Sequence, residues 1–151
     1  MAIITTDIQL AIEVLQEDDI IGLPTETVYG LAGNIYSEKA IDRIYAVKKR
    51  PSFNPLIVHL ASAEQLDRVA RNIPEAARAL ANACWPGPLT LILPRQADIS
   101  TKITAGKDTV AVRVPSQPLA QALLRRCSLL ACALHWLMRA CHRIMIRVYS
   151  R

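Results

Sequence analysis

Lys48-Lys49-Arg50-Pro51-Ser52-Phe53-Asn54-Pro55 leads into the apolar run Leu56-Ile57-Val58-His59-Leu60. Three cations, two loop-stiffening prolines and an asparagine beside a strand are what a polyphosphate needs. Arginine grips phosphate oxygens as a fork, and lysine acts as a point charge. The same cations also suit a helix C-terminus, where they oppose the helix dipole, and the local pattern alone favours that plainer role. No GxxxxGK[ST] stretch is present, so this is not an ordinary phosphate loop. His59 interrupts its apolar strand, either as a satisfied core histidine or as a polar group aimed into a pocket. Arg113 is the one charge in Val110-Ala111-Val112-Arg113-Val114. If it faces outward it needs no explanation. If buried it needs a carboxylate, from Glu26, another acid or a substrate. Gly22-Leu-Pro-Thr-Glu-Thr-Val-Tyr-Gly-Leu-Ala-Gly33 holds three of the chain's five glycines. Its Thr25 and Thr27 supply hydroxyls on a turn, and Gly30 and Gly33 allow close backbone approach. A tight strand-to-helix connection would use the same residues.

The elements that must position these groups follow from periodicity and caps. Thr6 or Asp7 can cap a helix carrying Ile8, Ala11, Ile12 and Leu15 on one face, closed by a turn at Asp18-Asp19. Ile20 to Leu23 reads as a short buried strand. Ser37 caps a helix with Ile41, Ile44, Tyr45 and Val47 on one face, and Pro51 stops it. Leu56 to Leu60 is a buried strand. Ser62-Ala63-Glu64-Gln65 has the pattern of a capping box, so another helix should open there. Pro74 fits the first position of a helix running to about Cys84. Trp85-Pro86-Gly87-Pro88 turns rigidly into a strand from Leu89 to Leu93. Thr109 to Val114 alternates, with Val110, Val112 and Val114 on one face and Ala111 and Arg113 on the other. Pro118 opens a last helix through about Arg126. Strands alternating with helices predict an α/β or α+β domain around a largely buried sheet.

Composition narrows the class. The 151 residues are 52% hydrophobic, enough for one domain with a real core. No apolar run reaches the roughly 18 residues of a membrane span, and the acidic N-terminal stretch does not read as a signal peptide, so a cytoplasmic protein is expected. Cys84, Cys127, Cys132 and Cys141 form no CxxC pair and read as free thiols rather than a metal site. The net charge is +5, but residues 1–126 hold 14 Lys and Arg against 13 Asp and Glu, while residues 127–151 hold four arginines and no acid. The body therefore lacks a strong nucleic-acid footprint.

Taken in order, GLPTETVYGLAG, KKRPSFNPLIVH, WPGPLTLIL and VAVRVP resemble the YrdC-like domain of threonylcarbamoyl-AMP synthases, over residues 1 to about 126. The resemblance implies an open, twisted, mixed sheet with flanking helices, the YrdC/RibB-like fold, around a central cavity. It implies conversion of L-threonine, bicarbonate and ATP to threonylcarbamoyl-AMP and pyrophosphate, for N6-threonylcarbamoyladenosine in tRNA. It places Thr27 on the amino acid with Thr25, Tyr29 and His59 beside it, and Arg113 on the threonine carboxylate. Lys48 and Arg50 match the family's KxR motif for ATP phosphates, and Asn54 and Thr109 would complete part of the ATP site. Mg²⁺ would arrive with ATP. No general acid or base stands out. Further implied partners are tRNA or double-stranded RNA and the other proteins of the modification pathway. An RNA-binding module or an inactive fragment is the competing reading, favoured mildly by the basic tail.

The resemblance breaks after Arg126. The family continues with a strand and a Ser-x-Asn stretch, often PSAN, that adds contacts to ATP and threonine. No Ser-x-Asn occurs after residue 114. Residues 127–151 hold three of four Cys, two of three His and two of three Met, with no Gly, Pro, Asp, Glu or Lys. The expectation is a YrdC-like domain over 1–126, incomplete at its C-terminal side, and an atypical tail over 127–151 from a shifted reading frame or truncated gene. Leu130, Leu134, Leu137 and Met138 could form an amphipathic helix, or the tail could be sequence never selected to fold. An exposed sheet edge and weak catalysis would follow.

Overall fold

The alternation Val110, Val112, Val114 is built as a strand buried on that face, each valine at most 1% exposed. The computed structural model describes residues 2–49, 51–127, 130–134 and 146–149. In chain order the elements are β1 (Ala2–Thr5), α1 (Ile8–Gln16), β2 (Ile21–Leu23), β3 (Gly30–Asn34), α2 (Glu38–Lys48), β4 (Ile57–His59), a 3-10 segment (Ala63–Arg68), α3 (Glu75–Cys84), β5 (Leu91–Pro94), β6 (Thr109–Arg113), α4 (Pro118–Arg126), β7 (Leu130–Leu134) and β8 (Ile146–Tyr149). The strands form one sheet in the order β1-β8-β2-β3-β7-β4-β6-β5. β4 and β6 run parallel, and every other pairing is antiparallel.

The helices start where the sequence provides acceptors. Asp7 accepts from the N–H groups of Gln9 and Leu10, and Ser37 accepts from that of Ala40. Pro118 occupies the first turn of α4, capped by the Gln117 side chain. Lys49 closes α2 in the left-handed conformation, with φ 49°. Ile20 and Ile21 are adjacent yet belong to different core clusters, as do Leu31 and Ala32. Period-two alternation therefore buries both faces of the sheet at β2 and β3. One face packs against α2, the 3-10 segment and α3, through Ile41, Ile44, Leu66 and Ala81. The other packs against α1 and α4, through Ile12, Leu15, Leu123 and Leu124. Each fully buried aliphatic side chain contributes roughly 1.5–3 kcal/mol. Gly33 lets α2 approach β3: a Cβ there would lie 3.0 Å from the Cβ of Ala40.

Several expectations are corrected. β1 is a strand absent from the sequence-based expectations, although Ile3, Ile4 and Thr5 are β-branched; in β3, Gly30-Leu31-Ala32-Gly33-Asn34 lacks β-branched residues, and its neighbours supply the pairing. Ser62 caps nothing with its side chain, and the segment after it is 3-10 rather than α-helical. Gln65, expected to complete the capping box, instead accepts from the N–H of Ala61 at 2.8 Å. Leu130 and Leu134 lie in strand β7, not in a helix, and Leu137 and Met138 fall outside the described residues. The tail leaves no open edge after β4: β7 lies between β3 and β4, paired with both. No helix among the described residues is long and apolar enough to cross a membrane.

Candidate active site

The parallel pair β4/β6 sets the site. Its register places Ile57 opposite Ala111 and His59 opposite Arg113. Thr109, Ala111 and Arg113 share one face of β6, and Ile57 and His59 share the matching face of β4. That face is graded: Thr109 is exposed, Ile57 and Ala111 are half-buried, and His59 and Arg113 are buried. Ile92, opposite Ala111 on β5, is 71% exposed. The face opposite the α2/α3 core is thus open at one end and closes over two polar side chains at the carboxyl ends of the strands. Ligands of sheets with parallel strands bind at those ends.

Arg113 points away from solvent, 3% exposed, which rules out an outward-facing strand arginine. Its Nε donates to the Gly87 carbonyl at 3.2 Å and its Nη1 to Thr27 Oγ1 at 3.4 Å. Nη2 lies 2.7 Å from Glu26 Oε1. This ion contact is short but poorly aligned, so Nη2 has no hydrogen-bond partner among the described residues. The Gly87 carbonyl is fixed by the rigid turn after α3, where the Gly87 N–H donates to the Val114 carbonyl at 2.8 Å. A Cβ on Gly87 would run into the Cys84 carbonyl.

The stretch Pro24 to Tyr29 forms the turn facing Arg113. Thr25 is consumed by that turn: its N–H donates to the Val28 carbonyl at 3.2 Å, and its hydroxyl accepts from the Val28 N–H at 3.1 Å. Thr25 Oγ1 also lies 3.1 Å from Thr27 Oγ1, so it holds the hydroxyl that reaches Arg113. Tyr29 ends the same turn, half-buried, directly before β3.

His59 is fully buried. Its Nδ1 lies 3.1 Å from the Ile57 carbonyl, which can only accept, so Nδ1 carries the proton. Nε2 is then a buried acceptor with no partner among the described residues. Burial first, and the Arg113 charge after it, lower its pKa to about 4. His59 is therefore neutral near pH 7. For Glu26, partial burial works to raise the pKa, but the Arg113 contact and charge and the N–H groups of its own backbone and Ser116 prevail and lower it.

Of the expected nucleotide residues, Asn54 and Thr109 sit toward the other end of the same strand pair. Lys48 is the last residue of α2, half-buried. Asn54 is half-buried in the loop before β4, and its carbonyl accepts from the Tyr45 hydroxyl at 2.9 Å. That hydroxyl also reaches the Lys102 carbonyl at 3.0 Å, tying α2 to both flanking loops. Thr109 opens β6, about 13 Å of strand rise from Arg113. Arg50 lies outside the described residues. The structure thus joins Thr25, Thr27 and Arg113 by contact, brings in His59 by register, and leaves Asn54 and Thr109 at the open end, with Lys48 closing α2. The Gly87 carbonyl and Ser116 N–H were not foreseeable, because backbone groups carry no residue signal; only the rigid Trp85–Pro88 stretch hinted at a fixed carbonyl. The shallow cleft between the 3-10 segment and α3 contains none of these residues.

The Sua5/YciO/YrdC family profile, described as "Telomere recombination", matches residues 13–134. The threonylcarbamoyl-AMP synthase of Pyrococcus abyssi is 49% identical over 117 residues, covering 78% of this chain and 34% of that protein. That of Bacillus subtilis is 48% identical over 128 residues, covering 83% and 37%. The crystal structure of P. abyssi Sua5 complexed with L-threonine superposes with a TM-score of 0.81 at 46% identity, over 83% of this chain and 37% of that one. Escherichia coli YciO gives 0.76 at 26% identity, over 83% and 62%. The chain thus spans about a third of the length of the first two curated relatives. With a family match running from α1 through β7, and an open mixed sheet shared with these relatives, the chain belongs to the Sua5/YciO/YrdC family, whose threonylcarbamoyl-AMP synthases are its curated relatives.

Proposed function

We propose that this chain carries the amino-acid and nucleotide face of a threonylcarbamoyl-AMP synthase. The observation that supports it most is the buried pair of Arg113 and His59 at the carboxyl ends of β4 and β6, with the exposed Thr27 hydroxyl reaching Arg113 from the facing turn, in a chain 46% identical to a relative solved with L-threonine. In this reading Arg113 holds the α-carboxylate, and Thr27 and the unpaired Nε2 of His59 take polar groups of the amino acid. Because Nε2 is an acceptor, it suits the threonine hydroxyl or its ammonium group, not the carboxylate. Thr25 orients Thr27, and Tyr29 borders the pocket.

Lys48, Arg50, Asn54 and Thr109 would receive the ATP phosphates at the open end of the face. No group of three His, Cys, Asp or Glu among the described residues offers a metal cage. Mg²⁺ would enter as part of Mg-ATP, held by the phosphates of the substrate itself. The threonine amine, carboxylated by bicarbonate with loss of water, presents a new carboxylate. That carboxylate attacks the α-phosphorus, forming a C–O–P bond as the bond to pyrophosphate breaks. The chain contributes positioning and charge neutralisation rather than proton transfer. The product would serve tRNA modification in the cytoplasm, with tRNA and the proteins of that pathway downstream.

Thermal unfolding with and without Mg-ATP and L-threonine tests this. A ligand that binds only the folded chain adds about 2.7 kcal/mol at a hundredfold excess over Kd, which raises the midpoint. A midpoint indifferent to both ligands would sink the proposal.

A further inference from the structure

Arg113 is the only buried charged side chain among the residues whose burial is described, yet its ion pair is less well made than two of the exposed pairs. Arg78 Nη2 and Nη1 meet the two oxygens of Asp67 at 2.6 and 3.1 Å, and Lys102 Nζ meets both oxygens of Asp42 at 2.8 and 2.9 Å. These pairs are exposed and aligned. At Arg113, Nη2 is close to one oxygen of Glu26 without alignment, and Nη1 has only the long Thr27 contact. The second oxygen of Glu26 accepts from the Ser116 N–H at a long 3.3 Å. Desolvation makes geometry matter more in a buried pair, so the ranking is the reverse of what a purely structural ion pair requires. The two edges of the guanidinium also differ. The Nε side rests on a backbone carbonyl in a rigid turn, whereas the Nη1–Nη2 edge faces a single bend, Glu26-Thr27. A carboxylate binds such an edge best as a fork, with two parallel N–H···O bonds.

We propose that Glu26 is a displaceable stand-in for the amino acid's α-carboxylate. It neutralises Arg113 in the ligand-free chain and leaves the Nη1–Nη2 edge when the ligand arrives. The proposal rests on the threonine reading given above. Exchange of one carboxylate for another keeps the buried guanidinium compensated throughout. A ligand without a carboxylate cannot make that exchange, so Glu26 sets a threshold that selects for amino acids over analogues that lack the carboxylate. The side chain can leave because it stands on a bend and is 21% exposed, against 3% for Arg113.

Calorimetric titration of the wild-type chain and Glu26→Gln with L-threonine and with L-threonine amide tests this. Without the competing anion, Glu26→Gln should bind L-threonine about tenfold more tightly, and the amide should bind both chains far more weakly than threonine. Threonine binding by a folded Glu26→Gln that is equal to or weaker than wild type would overturn the stand-in and leave the threonine site intact. Binding by neither chain would overturn both. The wild-type chain gives a second reading that does not depend on the variant folding. The ¹³C carboxyl resonance of Glu26 should titrate at higher pH once threonine is saturating, since the carboxylate has lost Arg113. An unchanged titration in the saturated complex would overturn the proposal.

Discussion

A lone polar residue in an apolar strand is the most readable signal in this chain, and His59 shows what the reading lacks. The sequence marks the position as anomalous but leaves open a satisfied core histidine or an unsatisfied one. The structure decides: one nitrogen is satisfied by Ile57 and the other is not. Arg113 is similar. Its need for a carboxylate was legible, and Glu26 was among the candidates, but the poor alignment of that pair was not, because it depends on the turn that carries Glu26. The buried His59 makes a pH prediction. In the unfolded chain it takes up a proton near its ordinary pKa of 6.5, whereas in the fold it stays neutral down to about 4. Between those values the unfolded state binds more protons, so stability falls as pH drops. The full span corresponds to about 3 kcal/mol from this one residue. His59→Gln should flatten the dependence of the unfolding midpoint between pH 6.5 and 4. An identical slope in the variant would show that other groups carry it.

Elements were legible in proportion to how locally they are determined. α1 and α2 announce themselves by caps and a 3.6-residue apolar stripe, and both form with those caps; α4 opens at Pro118 as expected, with Gln117 as a cap the sequence did not announce. β3 could not be read, because a glycine-rich strand owes its conformation to partners distant in sequence. β7 is the sharper case. Leu130-Ala-Cys-Ala-Leu134 suits a strand covered on both sides as well as a helix, and only the gap between β3 and β4 decides. Its backbone pairs with five residues of β3 and three of β4. Cys132 stands opposite both Ala32 and Ile57. Proline there would remove an interior ladder donor, a loss of about 1–3 kcal/mol for the orphaned partner alone. Cys132→Pro should therefore lower the unfolding midpoint and, through β4, weaken threonine binding at His59. A variant with an unchanged midpoint would mean that β7 contributes nothing to the sheet.

At the scale of the whole molecule, two observations meet at Leu134. The family match ends there, and so does β7. The composition changes at Cys127, but the family match runs through the strand that fills the sheet, so the departure from the family comes after Leu134. What would be lacking beyond it is the Ser-x-Asn stretch that the family resemblance assigns to ATP and threonine, and no such stretch occurs there. If no other segment supplies those donors, a site that keeps Arg113, His59 and Lys48 should bind threonine better than it turns it over. Loss of one well-placed donor to a reacting group costs about a hundredfold or more in rate. Pyrophosphate release dependent on L-threonine and bicarbonate should therefore run at least about a hundredfold slower than in the B. subtilis relative assayed beside it. Replacing residues 135–151 with the segment that follows the matching strand in that relative should restore much of the difference. If the tail arose by a shifted frame, one of the other two frames of the coding DNA should encode a PSAN-like sequence just after codon 134. A native chain already turning over at the relative's rate would refute the deficit, and the absence of such a sequence from both frames would refute the shift.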